Sequence, residues 1–389
     1  MFLDKLQETN PELLHFAFEA HRSGQIMPDT YLLDADAIAE NGQKMVTLAR
    51  ENRIKLYFML KQIGRNPRIA RRLMDIGFDG CVAVDYREAL LMIRAGIHIG
   101  NVGHLVQVPT HALRTILAAR PDVVTVYTLE KIRQINCVAA ELGLVQPLLL
   151  RITDPDGQLY SGQVGGFRSA DLPALAEEIG RMEHVTIGGF TTFPALLYAS
   201  SEKAIVPTSN LNGLKAAMAF AREKGWENLM INVPSASCCA SIPLIRALGG
   251  NCAEPGHGLT GTTPLHCDTL QPEKVAYAYV SEVSHDFAEV SYCYGGGYYR
   301  RGHMAHALVG TAPENAAPAG VIAPDTESID YHYELDGKYA VGQTVVMCYR
   351  TQVFTVRSDV AVVEGLHTGT PVITRYSPLG WELEKDWQA

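Results

Sequence analysis

The sequence predicts an α/β protein: a parallel (β/α)8 TIM barrel followed by a C-terminal, mostly β domain. Three observations carry this. Eight short apolar runs alternate with helical patterns over about 220 residues, which is the chain order of a barrel. No GxGxxG follows the first run, which disfavours an open doubly wound sheet. Beyond about residue 275, helical periodicity gives way to strand-like segments.

The N-terminus, MFLDKLQETNPELL, carries acidic residues early and lacks the apolar core of a signal peptide. TYLLDADAIAENGQKM (30–45) reads as a strand and then a helix, leading from the β domain into the barrel. The eight barrel strands are expected at LYFMLK (56–61), GCVAVD (80–85), HIGNVGHL (98–105), VVTVYT (123–128), PLLLRIT (147–153), VTIGGFTTF (185–193), LMINVPS (229–235) and CAEPG (252–256). Helical patterns between them stop at Gly77, Gly96 and Gly143, where a left-handed C-cap is needed. YAYVSEVS, FAEVSYCY, TVVMCYRTQVFTVR and SDVAVVEG then read as strands. The expected domains are a barrel over 36–272 and a β-rich domain of 1–35 plus 273–389.

Composition narrows the function. Hydrophobic residues make up 47% and charged residues 19%, as in a globular enzyme. A net charge of −9 gives nucleic acid no electrostatic basis for binding. No apolar run approaches the roughly 20 residues that span a bilayer. The eight cysteines, including Cys238 and Cys239, show neither CxxC nor zinc spacing. The expectation is a cytoplasmic protein with no metal site and no membrane or nucleic-acid partner.

Barrel chemistry sits at the C-terminal ends of the strands. Those ends read Lys61, Asp85, His104, Thr128, Arg151, Thr192, Ser235 and Glu254. Lys61 ends an apolar strand, so it is either a lysine snorkelling to solvent or an amine poised for Schiff-base chemistry. A recurring phosphate site of this fold lies in the loops after strands seven and eight. Here PSASCCASIPLIRALGG offers the small residues Ser235, Ala236 and Ser237, and EPGHGLTGTT offers Gly256 and Gly258. Ordinary turns have the same composition.

Several motifs together resemble the alanine racemase-like, fold type III pyridoxal-phosphate enzymes, over about residues 28–310. They are TYLLDADAIAEN, a strand ending in lysine, IGNVGHLVQVP, EPGHGLTGTTPLH and YCYGGGYYRRG. The chain is most similar to the YhfX group and to the ornithine racemase branch. Two features depart from the pattern: MLKQIGRNP replaces VKANAYG around the lysine, and Thr192 in FTTFP falls where a ring-packing aromatic or His is common.

The resemblance implies pyridoxal 5'-phosphate bound to Lys61, with His104, Arg151, Ser235, Ser237, Glu254, Gly256, His257 and Tyr294 around it. It also implies a homodimer, with Tyr294 as second catalytic base across the interface. Where alanine racemases carry Arg, this chain has Glu254. A carboxylate there holds the pyridine nitrogen protonated and strengthens the electron sink. The implied activity is amino-acid racemisation, by two-base Cα proton exchange through an external aldimine. The alternatives are a decarboxylase of the same fold and a cofactor-binding protein without turnover. Arg151 is either a cofactor contact or a structural ion pair. Arg350, Arg357 and Gln163 are candidate substrate contacts, the arginines equally readable as solvent-facing. His104 and His257 have structural readings beside their site roles.

Overall fold

The computed structural model describes residues 1–384 except 326 and 351. The first strand, β1 (Thr30–Asp34), belongs to the C-terminal sheet and not to the barrel. The barrel follows as β2 (Lys55–Met59), β3 (Gly80–Ala83), β4 (Ile99–Val102), β5 (Val123–Val126), β6 (Gln146–Arg151) and β7 (Val185–Thr191). It closes through β10 (Met230–Asn232) and β11 (Cys252–Ala253), with all eight strands parallel. Each coincides with one of the eight apolar runs. Strands this short, with side chains buried on both faces, read as nearly unbroken apolar runs because no face meets water.

The strands stop earlier than the runs suggest, and the difference matters for the site. Lys61 lies two residues beyond β2, and His104 lies two residues beyond β4. Asp85 and Thr128 are helix caps: their side chains accept from the backbone N–H of Glu88 and Lys131, opening the helices Tyr86–Arg94 and Leu129–Glu141. A hairpin of β8 (Leu196–Ala199) and β9 (Ala204–Pro207) is inserted between β7 and β10. Its strands, LLYA and AIVP, are four residues each and fall outside the eight apolar runs.

The other sheet is built around β12 (Tyr277–Phe287), which pairs antiparallel with β1; β1 pairs in turn with β18 (Asp359–Glu364), flanked by β19 (Val372–Tyr376). From β12 the pairing runs through β13 (Val290–Tyr294), β16 (His332–Asp336), β15 (Ala317–Ile322), β14 (His306–Gly310) and β17 (Thr344–Met347) and returns to β12, a closed ring of antiparallel strands. Its core is aromatic: Tyr31, Tyr277, Tyr279, Tyr333 and Tyr349 are fully buried.

The chain forms two units. One comprises 43–60 and 70–256 and holds the whole barrel; the other comprises 1–42, 61–69 and 257–389 and holds the sheet. All eight cysteines are free thiols. Among the described residues no helix is long and apolar enough to cross a membrane, and no cluster of His, Cys, Asp and Glu could hold a metal.

Candidate active site

In the barrel unit the polar residues of several strands converge on Glu254, which directly follows β11. Its Oε1 accepts two amide hydrogen bonds, from Nδ2 of Asn101 on β4 (2.8 Å) and Nδ2 of Asn232 on β10 (2.9 Å). Thr125 on β5 donates to Oδ1 of Asn101 (2.7 Å), which leaves the Asn101 amide nitrogen as the group facing Glu254. The second carboxylate oxygen lies 3.6 Å from Nε2 of His104. All of these side chains are buried, so the carboxylate is oriented by fixed donors. The His104 ring also stands edge-on to Phe193, with centroids 5.3 Å apart.

Arg151, at the end of β6, is entirely buried. Its guanidinium donates to the Tyr127 hydroxyl (2.7 Å) and the Gln163 carbonyl (2.7 Å), and lies 4.9 Å over the Tyr127 ring. Tyr127 in turn donates to the His104 carbonyl. Burial raises the Tyr127 pKa, and the neighbouring Arg151 charge opposes that rise. The GQVGG turn folds back on β6 because Gly166 has φ +134°. A Cβ there would meet the Arg151 carbonyl at 2.6 Å. Arg151 Nε, Gln163 Oε1, Thr191 Oγ1 and Asn232 Oδ1 are buried without a hydrogen-bond partner among the described residues.

The loop after β10 uses its serines differently from one another. Ser235 Oγ accepts from the N–H groups of Ala195 and Leu196 (3.1 Å each) and donates to the Leu196 carbonyl (2.7 Å). This hydroxyl ties its loop to β8, leaving the backbone of Ser235 and Ala236, both at positive φ, for any ligand. Ser237 Oγ accepts from the Glu254 N–H (3.3 Å), so it braces the carboxylate's own backbone.

In the sheet unit Lys61 is buried, at 8% exposed. The chain beyond it turns at Gly64 (φ +66°) against Val360 of β18. His257 pairs its Nδ1 with Thr262 Oγ1 (3.2 Å), while its Nε2 is buried and unpartnered among the described residues. Burial holds its pKa well below the ordinary histidine value. The positive charges of Arg350, Lys61 and Arg301 push it the same way, so the imidazole is neutral at neutral pH.

Tyr294 ends β13 with 39% of its surface exposed. Its position is set by the glycines that follow. A Cβ on Gly296 (φ +139°) would strike the Asp29 carboxylate, and one on Gly297 would lie 2.4 Å from the Tyr279 ring. The Gly297 carbonyl accepts from the hydroxyls of Tyr31 (2.5 Å) and Tyr349 (2.9 Å). Arg300 and Arg301 are exposed, and Arg350 is half-buried. Arg357 pairs with Asp330 (3.3 Å) over the Tyr331 ring.

The sequence therefore named Glu254, His104, Arg151 and Ser237, which the barrel brings into connected networks, but gave no sign of Asn101, Asn232, Thr125 or Tyr127. A single asparagine in IGNV or MIN is the only trace the network leaves. Within the barrel unit the residues present fit pyridoxal phosphate, with a buried and oriented carboxylate and buried polar atoms that a polar ligand would satisfy.

The family model for the alanine racemase N-terminal domain matches residues 33–264, and that for the YhfX-like C-terminal domain matches 278–373. The protein YhfX of Escherichia coli (strain K12) is 43% identical over 386 residues, covering 98% of this chain and all of that protein. Among solved structures, D-threonine aldolase from Filomicrobium marinum superposes with a TM-score of 0.65 at 17% identity, covering 83% of this chain and 87% of its own. Alanine racemase of Clostridium difficile 630 with cycloserine gives 0.63 at 17%, covering 90% and 98%. Diaminopimelate decarboxylase from M. jannaschii with L-lysine gives 0.63 at 14%, covering 95% and 92%. At these identities the structures share the fold, which here hosts three reactions.

Proposed function

The chain belongs to the alanine racemase family, with a YhfX-like C-terminal domain, and from that membership we propose that it is a pyridoxal-phosphate-dependent amino-acid racemase. Pyridoxal phosphate supplies an electron sink for negative charge at the substrate Cα. Lys61 would hold the cofactor covalently, and its amine would move the Cα proton on one face. Tyr294 of the partner subunit would move it on the other, in a homodimer whose sites are completed across the interface. Two bases on opposite faces allow inversion of the centre, which one base does not readily achieve.

Glu254 would hold the pyridine nitrogen protonated, an opposite charge favouring the charged form. Arg151 and Gln163 offer polar contacts toward the ring hydroxyl. His104, edge-on to Phe193, would be a further cofactor contact. Ser237, Gly256, His257 and the Ser235 backbone would hold the phosphate, and Arg350 and Arg357 would serve substrate carboxylates. Neutral His257 suits a hydrogen bond to an anion better than a second charge would beside Lys61.

The observation that best supports this reading is the buried Glu254 carboxylate fixed by two asparagine amides. Such a group is positioned for one partner and is wasted on solvent. The test is incubation of the holoprotein with single enantiomers of many amino acids in D₂O. The expected result for one of them is a racemic product carrying deuterium at Cα. Release of CO₂ instead makes the protein a decarboxylase. Cofactor binding without exchange for any amino acid makes it a binding protein.

A further inference from the structure

The sheet unit contains a cleft of about 450 Å³, of whose lining the proposed chemistry uses Arg357 alone. Its walls come from the turn after Tyr294 with Gly296, Tyr298 and Arg300, from Pro324, Asp325 and 328–330, and from the 355–357 turn. That volume is in the range of small-molecule sites. Val356, Ile329 and Pro324 supply apolar surface, and two arginines supply charge.

Arg357 is held in place on three sides. It pairs with Asp330 Oδ1 (3.3 Å) and donates to the carbonyls of Asp330 (3.0 Å) and Gly295 (3.4 Å). Its guanidinium lies 5.4 Å over the Tyr331 ring. Of the two acids of the cleft, Asp330 is half-buried and drawn into its wall, while Asp325 is exposed. Asp330 has its other oxygen on the Tyr298 N–H (3.4 Å), and Asp325 accepts from the Glu327 N–H (2.9 Å) within its own turn. The Asp330 side chain is 23% exposed while that of Arg357 is 47% exposed. The ion pair therefore presents mainly its positive partner, already oriented, to the cleft. A fixed guanidinium fork beside apolar surface recognises a carboxylate on an aliphatic stem.

We propose that this cleft is a carboxylate subsite, which takes the side-chain carboxylate of an acidic amino-acid substrate. The substrate assignment rests on the reading of Tyr294 as second base, because the cleft begins at Gly296, two residues after it. Arg357 is the anchor and Arg300 adds positive potential.

The test uses glutarate, a dicarboxylate with no amine, titrated calorimetrically into the holoprotein. Glutarate binds the wild type. Arg357→Gln weakens binding roughly tenfold, while Arg357→Lys, a point charge without the fork, restores part of it. In D₂O, glutamate exchanges its Cα proton faster than isosteric glutamine, and Arg357→Gln collapses that ratio about tenfold through KM. Should Arg357→Gln fail to fold, Arg300→Gln on the exposed turn weakens glutarate binding about threefold. Glutarate bound equally by wild type and Arg357→Gln, or not bound at all, overturns the subsite. Glutamine exchanging as fast as glutamate overturns the substrate class. Glutarate binding that depends on Arg357, with no exchange for any amino acid, upholds the subsite and sinks the racemase reading.

Discussion

The barrel and the C-terminal sheet hold their polar residues by opposite means. In the barrel, Glu254 is set by directional hydrogen bonds between side chains on neighbouring strands, Thr125 to Asn101 to Glu254, with Asn232 on the other side. In the sheet, Tyr294 is set by shape: Gly296 and Gly297 lie where no Cβ fits, pressed against Asp29 and the Tyr279 ring. A hydrogen-bonded network tolerates loss of volume but not loss of a partner. A packed turn tolerates neither an added methyl nor a shifted ring. The two devices suit two roles, an acceptor whose direction matters and a phenol whose place matters.

Substitutions can break this contrast. Tyr294→Phe lowers exchange on one face by about 10³-fold and leaves the other measurable, as removal of a general base does. Single-turnover deuterium uptake from each enantiomer checks it, and equal loss on both faces contradicts the assignment. Glu254→Gln keeps the shape but loses the charge, and lowers exchange on both faces by about 10²-fold. Asn232→Ala, which loosens the carboxylate without touching its charge, lowers exchange about tenfold and costs about 1–3 kcal/mol of stability in denaturant titration.

Packing changes affect the sheet unit differently. Gly297→Ala drives a methyl into the Tyr279 ring and costs about 1–3 kcal/mol. Gly24→Ala, at φ +72° with open space around it, carries backbone strain alone and costs about 1 kcal/mol. Thermal unfolding of both variants separates the two contributions.

The pH dependence carries a sign that differs between the units. Burial lifts Asp29 to about 6, against hydrogen bonds from Ser358 and Tyr279 that pull it down. Its folded pKa lies above the ordinary 3.8, so stability from this group is greatest below pH 4 and falls as pH rises through 6. In the barrel unit burial also acts to raise Asp122. Hydrogen bonds from His98 and Tyr57 and the Lys55 charge outweigh it and bring the group to about 2. Its stabilisation is present above pH 4 and is lost as pH falls toward 2. Asp29→Asn should therefore gain stability at pH 7 and nothing at pH 4. Asp122→Asn should lose stability at pH 7 and little near pH 2. Denaturant midpoints across pH measure both, and slopes of the same sign contradict the contrast.

The legibility of the sequence follows the same division. All eight barrel strands show as apolar runs because a strand buried on both faces excludes polar residues wherever it can. Their ends are less legible. Lys61 and His104 stand two residues past their strands, and Asp85 and Thr128 begin the next helix, since a polar residue at such a junction reads alike as strand end or cap. Glu254 and YCYGGGYYRRG are visible as motifs. The groups that fix them are not: Asn101 and Asn232 are 131 positions apart, and Tyr31 meets Gly297 across 266. Only the fold brings such partners together. Ser235 shows the limit in reverse, because a serine in a phosphate-like loop gives no hint that its hydroxyl is committed to Ala195 and Leu196.

The central claim is that Lys61, buried and just beyond β2, carries the cofactor. Incubation with pyridoxal phosphate, borohydride reduction and peptide mass mapping test it most directly. A pyridoxyl mass on Lys61, absent from Lys61→Ala, is the predicted result. The label on another lysine, or on none, contradicts it.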